Sequence, residues 1–455
     1  MRRHLLASCA VCACVVAAGH GAAAETLVDA LVDAYNNNPQ ILSERANLRA
    51  TDEGVPQALS GWRPTVTFTA APGVQHSEST PPSIFSPAQL GLVPYTLDAN
   101  VTQPVYNGGR TVALTAQAEK TVEAERARNV ATEETVFFSV IQAYLDVVRD
   151  QATLELSINN EQVLRRQLEA TNDQFRVGAV TRTDVAQAEA RLAGATASRQ
   201  VAEGNLQVSR ANYQRAVGHL PERLEQPKAR PVLPATRDEA LQLASVKNAN
   251  VVASIFTEDA ARDAVDATRA QLLPSVAVVG DINRAQDTVT ANRETTTYSL
   301  VARITVPLYE GGAIYAQTRQ ATQVVGARRG QTDDARRAAV QGATQAWEQI
   351  MAGRAQIVSL QSTIKAAQIA LDGVRQEATV GSRTVLDVLN AEQELFTDRV
   401  QLVTAQHDLA LAEFNLAMQV GRLTAADFNL PVKLYDVDQH YRSVRDKWIG
   451  FGSKP

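Results

Sequence analysis

One stretch of this chain occurs twice. Val177-Gly178-Ala179-Val180-Thr181-Arg182-Thr183-Asp184-Val185 returns 203 residues later as Val380-Gly381-Ser382-Arg383-Thr384-Val385-Leu386-Asp387-Val388, and Ala188, Glu189 and Leu192 extend the match to Ala391, Glu392 and Leu395. A repeat of this span divides the chain into two similar halves. Both copies interrupt a helical pattern at a Gly and restart it at an Asp, so each reads as the apex of a helical hairpin, with Gly178 and Gly381 at the turns.

The correspondence runs well beyond the apices. Asn248 answers Asn38 and Pro274 answers Pro64 at an offset of 210, while Pro307, Tyr309, Gly311 and Gly312 answer Pro104, Tyr106, Gly108 and Gly109 at 203. Each half therefore reads helix, strand pair, long helix, apex, helix. The first half is residues 25–218, a Pro-rich linker follows at 219–236, the second half is 237–421, and the extension 422–455 has no counterpart, reading as a cap or a flexible tail.

Within a half the periods are clear. Residues 65–70 and 96–102 alternate polar and apolar as strands do, the second stopping at Pro104, and the Ser- and Pro-rich stretch 77–94 between them reads as an exposed loop. In the second half 297–306 alternates, with Val301 the exception. Residues 111–175 contain no Gly or Pro, so a helix there is close to 100 Å long, and Val140, Tyr144, Val147, Leu154 and Ile158 form its heptad-like seam. Asp184 caps the helix beyond the apex, whose seam is Val185, Ala188, Leu192 and Ala195. That helix and the one over 26–59 match the long helix in length if stacked end to end. The Gly108-Gly109 and Gly311-Gly312 pairs supply the permissive backbone a strand needs to re-aim into a helix.

The N-terminus reads as a secretory signal over 1–24: Arg2 and Arg3, an apolar run, and Ala22-Ala23-Ala24 as the cleavage site. Cys9, Cys12 and Cys14 all lie inside it, so the exported chain has no thiol chemistry. Leu6-Ala7-Ser8-Cys9 resembles a lipoprotein box, but the apolar run before it is too short. Removing the signal takes the net charge from -5 to -7, which argues against nucleic acid as a partner. No later run of about 18 apolar residues supports a membrane-spanning helix, a test that leaves a β-barrel open. Four strands per chain cannot close a barrel alone, and open strand edges are not tolerated in lipid. Two chains would give eight strands with a filled interior; three would give twelve with room for a channel.

With Gln103-Pro104-Val105-Tyr106-Asn107-Gly108-Gly109 and Val306-Pro307-Leu308-Tyr309-Glu310-Gly311-Gly312 after its strands, and Val380-Gly381-Ser382-Arg383-Thr384 before Asp387-Val388-Leu389-Asn390-Ala391, residues 25–422 resemble a TolC-family outer-membrane efflux protein. The resemblance implies an α+β membrane protein. Its long antiparallel helices form a periplasmic α-barrel, and four transmembrane strands per chain enter a shared twelve-stranded trimeric β-barrel. It further implies an outer-membrane exit duct for tripartite efflux or type I secretion, docking with a periplasmic adaptor and, through it, an inner-membrane pump. By the same resemblance Asp387 projects into the periplasmic entrance as a carboxylate ring, with Asn390 where a second acidic tier is common. Thr183, Asp184 and Arg383 match the latch between apex hairpins, and Ala378 stands where a latch tyrosine is frequent.

Other readings of the same residues stay open. An Asp beginning a helix needs no role beyond satisfying free N–H groups. Tyr106 and Tyr309 read either as membrane-interface aromatics or as packing at the barrel floor. The six histidines include no pair at metal-ligand spacing, and no phosphate loop or nucleophile motif appears, so neither enzyme, cofactor nor metal is expected. A trimeric barrel-anchored coiled-coil adhesin or stalk is the alternative to a duct, although its strands would be gathered at one chain end.

Overall fold

The computed structural model describes residues 25–78, 80, 89–222, 224–227 and 229–452. The expected signal peptide, its cysteines and the cleavage site near Ala24 lie outside these residues, as does 81–88 of the Ser- and Pro-rich stretch. The first half opens with three short helices, α1 (Leu27–Asn37), α2 (Pro39–Asp52) and α3 (Gly54–Leu59). Strands β1 (Thr65–Pro72), β2 (Gln75–Glu78), β3 (Gln89–Leu92) and β4 (Tyr95–Asn107) follow. Two helices, α4 (Arg110–Arg176) and α5 (Arg182–Val217), complete the half. The second half repeats this with α6 (Arg237–Lys247), α7 (Ala249–Arg269), β5 (Ser275–Gln286), β6 (Glu294–Thr305), α8 (Ala313–Thr379) and α9 (Val385–Gln419). A last helix, α10 (Val437–Val444), lies in the tail. Both α4 and α8 have 67 residues, about 100 Å at helical rise.

End-to-end stacking of the shorter helices depends on two asparagines. Asn38 caps α2 by accepting from the Gln40 N–H at 2.9 Å, and its amide donates to the Ala216 carbonyl at the end of α5, also 2.9 Å away. Asn248 repeats both bonds, accepting from Asn250 at 3.1 Å and donating to Gln419, at the end of α9, at 3.2 Å. One side chain thus closes two helix ends that would otherwise leave buried polar groups unpaired.

Three apolar clusters follow from this stacking. The largest joins α1, α4, α5, α9 and the tail through Leu31, Phe137, Ile141, Tyr144, Tyr213, Phe414 and Leu423. Its counterpart in the second half is built mainly from small residues, Ala240, Ala244, Ala339, Ala343 and Ala346, which lets α6, α8 and α9 approach closely. A third lies near the apices. In the seam of α4, Val140, Tyr144 and Val147 are buried, but Ile158 is exposed on this chain. Beyond α5 the linker is packed down: Leu224 is buried, and the Glu225 carbonyl accepts the Tyr144 hydroxyl at 2.6 Å.

One antiparallel sheet, in the order β1-β4-β5-β6, joins the strand pairs of the two halves. Its rows alternate in character. Val66, Val101, Gly280 and Leu300 lie opposite one another, as do Phe68, Ala99, Ile282 and Tyr298, whereas the rows between carry Thr67, Asn100, Asp281 and Ser299, then Thr69, Asp98, Asn283 and Thr297. Among the described residues nothing covers the apolar face: Phe68 is 69% exposed and Leu300 77%.

Two sequence expectations need correction here. Strand β4 does not stop at Pro104; it runs to Asn107, with a register shift between Pro104 and Tyr106. Pairing with β1 ends at Thr65–Thr102, so Pro104 lies where β4 has a free edge, and a residue without an N–H is tolerated there. The shift puts Tyr106 beside Val276 and Ile304, on the apolar face. The stretch 77–94 also holds part of a second hairpin, in which β2 pairs with β3, rather than a plain loop. No helix among the described residues is long and apolar enough to cross a membrane.

Candidate functional site: the two hairpin apices

Each apex is a five-residue turn built from two backbone devices. At the end of α4, Gly178 takes φ +74, the Ala179 N–H reaches the Gln174 carbonyl and the Gly178 N–H that of Phe175, which is the Schellman arrangement. Thr181 then caps α5: its hydroxyl accepts from the Asp184 N–H, while the Asp184 carboxylate accepts from the Thr181 N–H at 2.8 Å. The second apex reproduces every bond, with Gly381 at φ +80, Ser382 to Glu377, and Thr384 with Asp387. The repeated Val-Gly-x-x-Thr-x-x-Asp is therefore the code for this turn. The cap proper is the Thr, one turn before the position expected from the sequence, because an Asp at the third helical position bonds back to the cap. Its hydrogen bonds to the backbone and hydroxyl of Thr384, aided by Arg383, hold the Asp387 carboxyl below the usual carboxylate range.

Differences between the copies set the chemistry. Arg383, replacing Val180 of the first copy, bonds through Nε to Glu377 of its own hairpin at 2.8 Å and, among the described residues, does not meet Asp184. Thr183 is exposed on the first turn of α5. Asn390 accepts from Arg191 Nη2 at 2.8 Å, a bond that crosses from α9 to α5. Beneath it Leu389 is buried among Leu164, Ala188 and Ala195, so the hairpins meet through an apolar contact with a polar clasp on its rim. Each hairpin is also braced internally. Glu161 on α4 accepts from Thr196 and pairs with Arg199 at 2.6 Å, both on α5, and Arg375 on α8 pairs with Glu392 on α9.

No motif or spacing in the sequence singles out Arg191, Glu377 or Glu161. Arg191 and Asn390 are 199 residues apart, and only the docking of α5 on α9 brings them together. At the other end of the long helices, Gly108, Gly109, Gly311 and Gly312 all have positive φ. They are not equivalent in space: a Cβ on Gly108 would overlap the Ala270 carbonyl and lie 2.8 Å from the Leu273 Cβ, whereas among the described residues nothing lies within 4 Å of one on Gly311. Pro104 lies within β4, but Pro307 falls beyond the end of β6. Among the described residues no group of three acidic, His or Cys side chains could hold a metal ion.

With this geometry in view, comparison with known proteins gives a consistent result. The family model for outer membrane efflux proteins matches twice, over residues 30–219 and 240–422. The outer membrane efflux protein BepC of Brucella suis is 33% identical over 98% of this chain and 96% of its own length. The outer membrane protein TolC of Vibrio cholerae is 26% identical over 89% of this chain and 92% of its own. In fold, the solved outer membrane protein VceC of Vibrio cholerae superposes with a TM-score of 0.76 at 21% identity, covering 87% of this chain and 96% of that one.

Proposed function

The chain belongs to the outer membrane efflux protein family, and from that premise we propose that three copies form one passive exit duct, gated at the hairpin apices and serving tripartite efflux or type I secretion. It is a channel of the TolC family, not an enzyme, in the outer membrane of a Gram-negative bacterium. The observation that carries the proposal is the unfinished sheet. Strands β1 and β6 are its two edges, they run in opposite directions, and one face is apolar and, among the described residues, bare. Three such sheets joined β6 to β1 continue the antiparallel ladder around a twelve-stranded barrel, turning the apolar rows to lipid and Asp98, Asn100, Asp281 and Asn283 to the lumen. The 67-residue helices then extend into the periplasm toward an adaptor protein and, through it, an inner-membrane pump. Export is by the signal peptide, cleaved near Ala24.

At the far end the apices form the entrance. Three Asp387 carboxylates, ionised at any physiological pH, give one acidic ring. One turn on, Asn390 is neutral and held by Arg191, so the second tier is basic in character. Arg383, Thr183 and Asp184 latch hairpins of adjacent chains, Arg383 exchanging Glu377 for the neighbouring Asp184. Conductance in planar bilayers tests the reading: the wild-type channel is blocked by a trivalent cation and the Asp387→Ala channel is not. Equal block of both would remove Asp387 from the entrance.

A further inference from the structure

The tail beyond α9 is laid out as a strap along α4. The Ala425 N–H donates to Glu133 at 2.7 Å, Asp438 pairs with Arg126 at 2.6 Å, and Arg445 pairs with Glu119 at 3.2 Å. Glu133, Arg126 and Glu119 are seven residues apart, a single stripe of α4 climbed in steps of about 10 Å toward its strand end. His440 adds a bond to the buried carboxylate of Asp52 on α2. At the top, Arg63, two residues before β1, donates to the Lys447 carbonyl at 2.7 Å and places its guanidinium 5.2 Å from the centre of the Trp448 ring.

After this anchorage the chain presents Trp448, Ile449 and Phe451 to the outside, with Ile449 88% exposed and Phe451 fully so. Such a strap, fixed by ion pairs and then ending in three bare apolar side chains, is costly in water. Its end is level with the floor of the sheet, where Tyr106, Leu308 and Tyr309 are also exposed. Aromatic residues at that level, next to cations, match the headgroup region of a bilayer. We propose that Trp448-Ile449-Gly450-Phe451 is a membrane-interface anchor, inserted into the periplasmic leaflet around the barrel, with Arg63 and Lys447 against phospholipid phosphates. The anchor continues the apolar belt of the sheet and rests on the barrel reading above.

Its test uses the lack of cysteine from residue 25 onward. Ile449→Cys, Arg442→Cys and Leu300→Cys proteins each take one nitroxide label and are reconstituted in phosphatidylethanolamine–phosphatidylglycerol vesicles, where access to dioxygen and to a water-soluble nickel chelate is measured. The expected dioxygen-to-nickel ratio at 449 is several-fold above that at 442 and near that at 300. A ratio at 449 equal to that at 442, with 300 still in lipid, overturns the anchor alone. Low access to both reagents at 449 also overturns it, in favour of contact with a neighbouring chain. Water-like access at 300 removes the barrel reading and the anchor with it.

Discussion

Arg191→Ala tests how the two hairpins are held together. The Arg191 to Asn390 bond is 2.8 Å long and joins a half-buried guanidinium to an exposed amide. Hydrogen bonds to a charged group contribute about 1.5–3 kcal/mol when sheltered, and exposure reduces this one to about 1 kcal/mol. In the proposed trimer, whose hairpins part together, three copies amount to about 3 kcal/mol, a shift of about 100-fold toward the open entrance. The Leu389 contact with Ala188 and Leu164 remains, so the variant still assembles. Single-channel recording reads the effect as a larger open fraction, and cells carrying the variant become sensitive to a large antibiotic. Asn390→Ala has the same effect, and the double variant costs no more than either single change, because both remove one bond. Asn390→Asp, which converts the bond to an ion pair, closes the entrance further. An open fraction unchanged in Arg191→Ala would show that the clasp bears no load.

Three other outcomes follow from the geometry. Asn38→Ala removes a cap and the donor to Ala216 together, costing about 1–2 kcal/mol, so thermal unfolding of the detergent-solubilised protein moves down; an unchanged transition contradicts the stapling role. Burial pushes the Glu134 carboxyl up to about 8, opposed by the backbone N–H of Leu423. Its folded pKa thus exceeds the ordinary 4.5, the folded chain keeps a proton that the unfolded chain releases, and stability falls as pH rises from 4.5 to 8. Glu134→Gln flattens that dependence, which melting curves across the window detect. Gly108→Ala, which needs a positive φ and overlaps Ala270, lowers assembled protein far more than Gly311→Ala, where only the φ is strained, and equal effects would contradict the close approach.

Much of the fold was legible because the repeat reports on itself. The 203-residue offset placed both apices, both Gly-Gly junctions and the two long helices, and Asn38 and Asn248 stood out as a pair before their carbonyl partners were known. Strand alternation worked where the middle of one face is apolar, as in β4 and β6. It failed for the β2–β3 hairpin, whose Gln75, His76, Ser77 and Glu78 carry no apolar face to recognise. Pro104 looked like a stop because a proline excludes a strand only where both edges are paired, and the missing partner of that edge is a matter of topology. The apex Asp residues were correctly placed at helix starts, but their role as the acid of a capping box depends on backbone geometry. Arg191 was invisible for a plainer reason: an Arg on a helix surface carries no mark of the residue it will meet. The tail, having no second copy to compare with, declared neither its strap nor its ion pairs.

The central claim is that β6 of one chain pairs with β1 of the next. Within one chain these edges are three strand spacings apart, about 14 Å, beyond the roughly 7 Å that a disulfide can bridge. Thr67→Cys is combined in turn with Thr297→Cys, Ser299→Cys and Val301→Cys, all on the same sheet face, and the membrane-embedded protein is oxidised. A closed twelve-stranded barrel yields, for at least one pair, a disulfide-linked trimer on a non-reducing gel. Monomer alone from every pair would contradict the shared barrel.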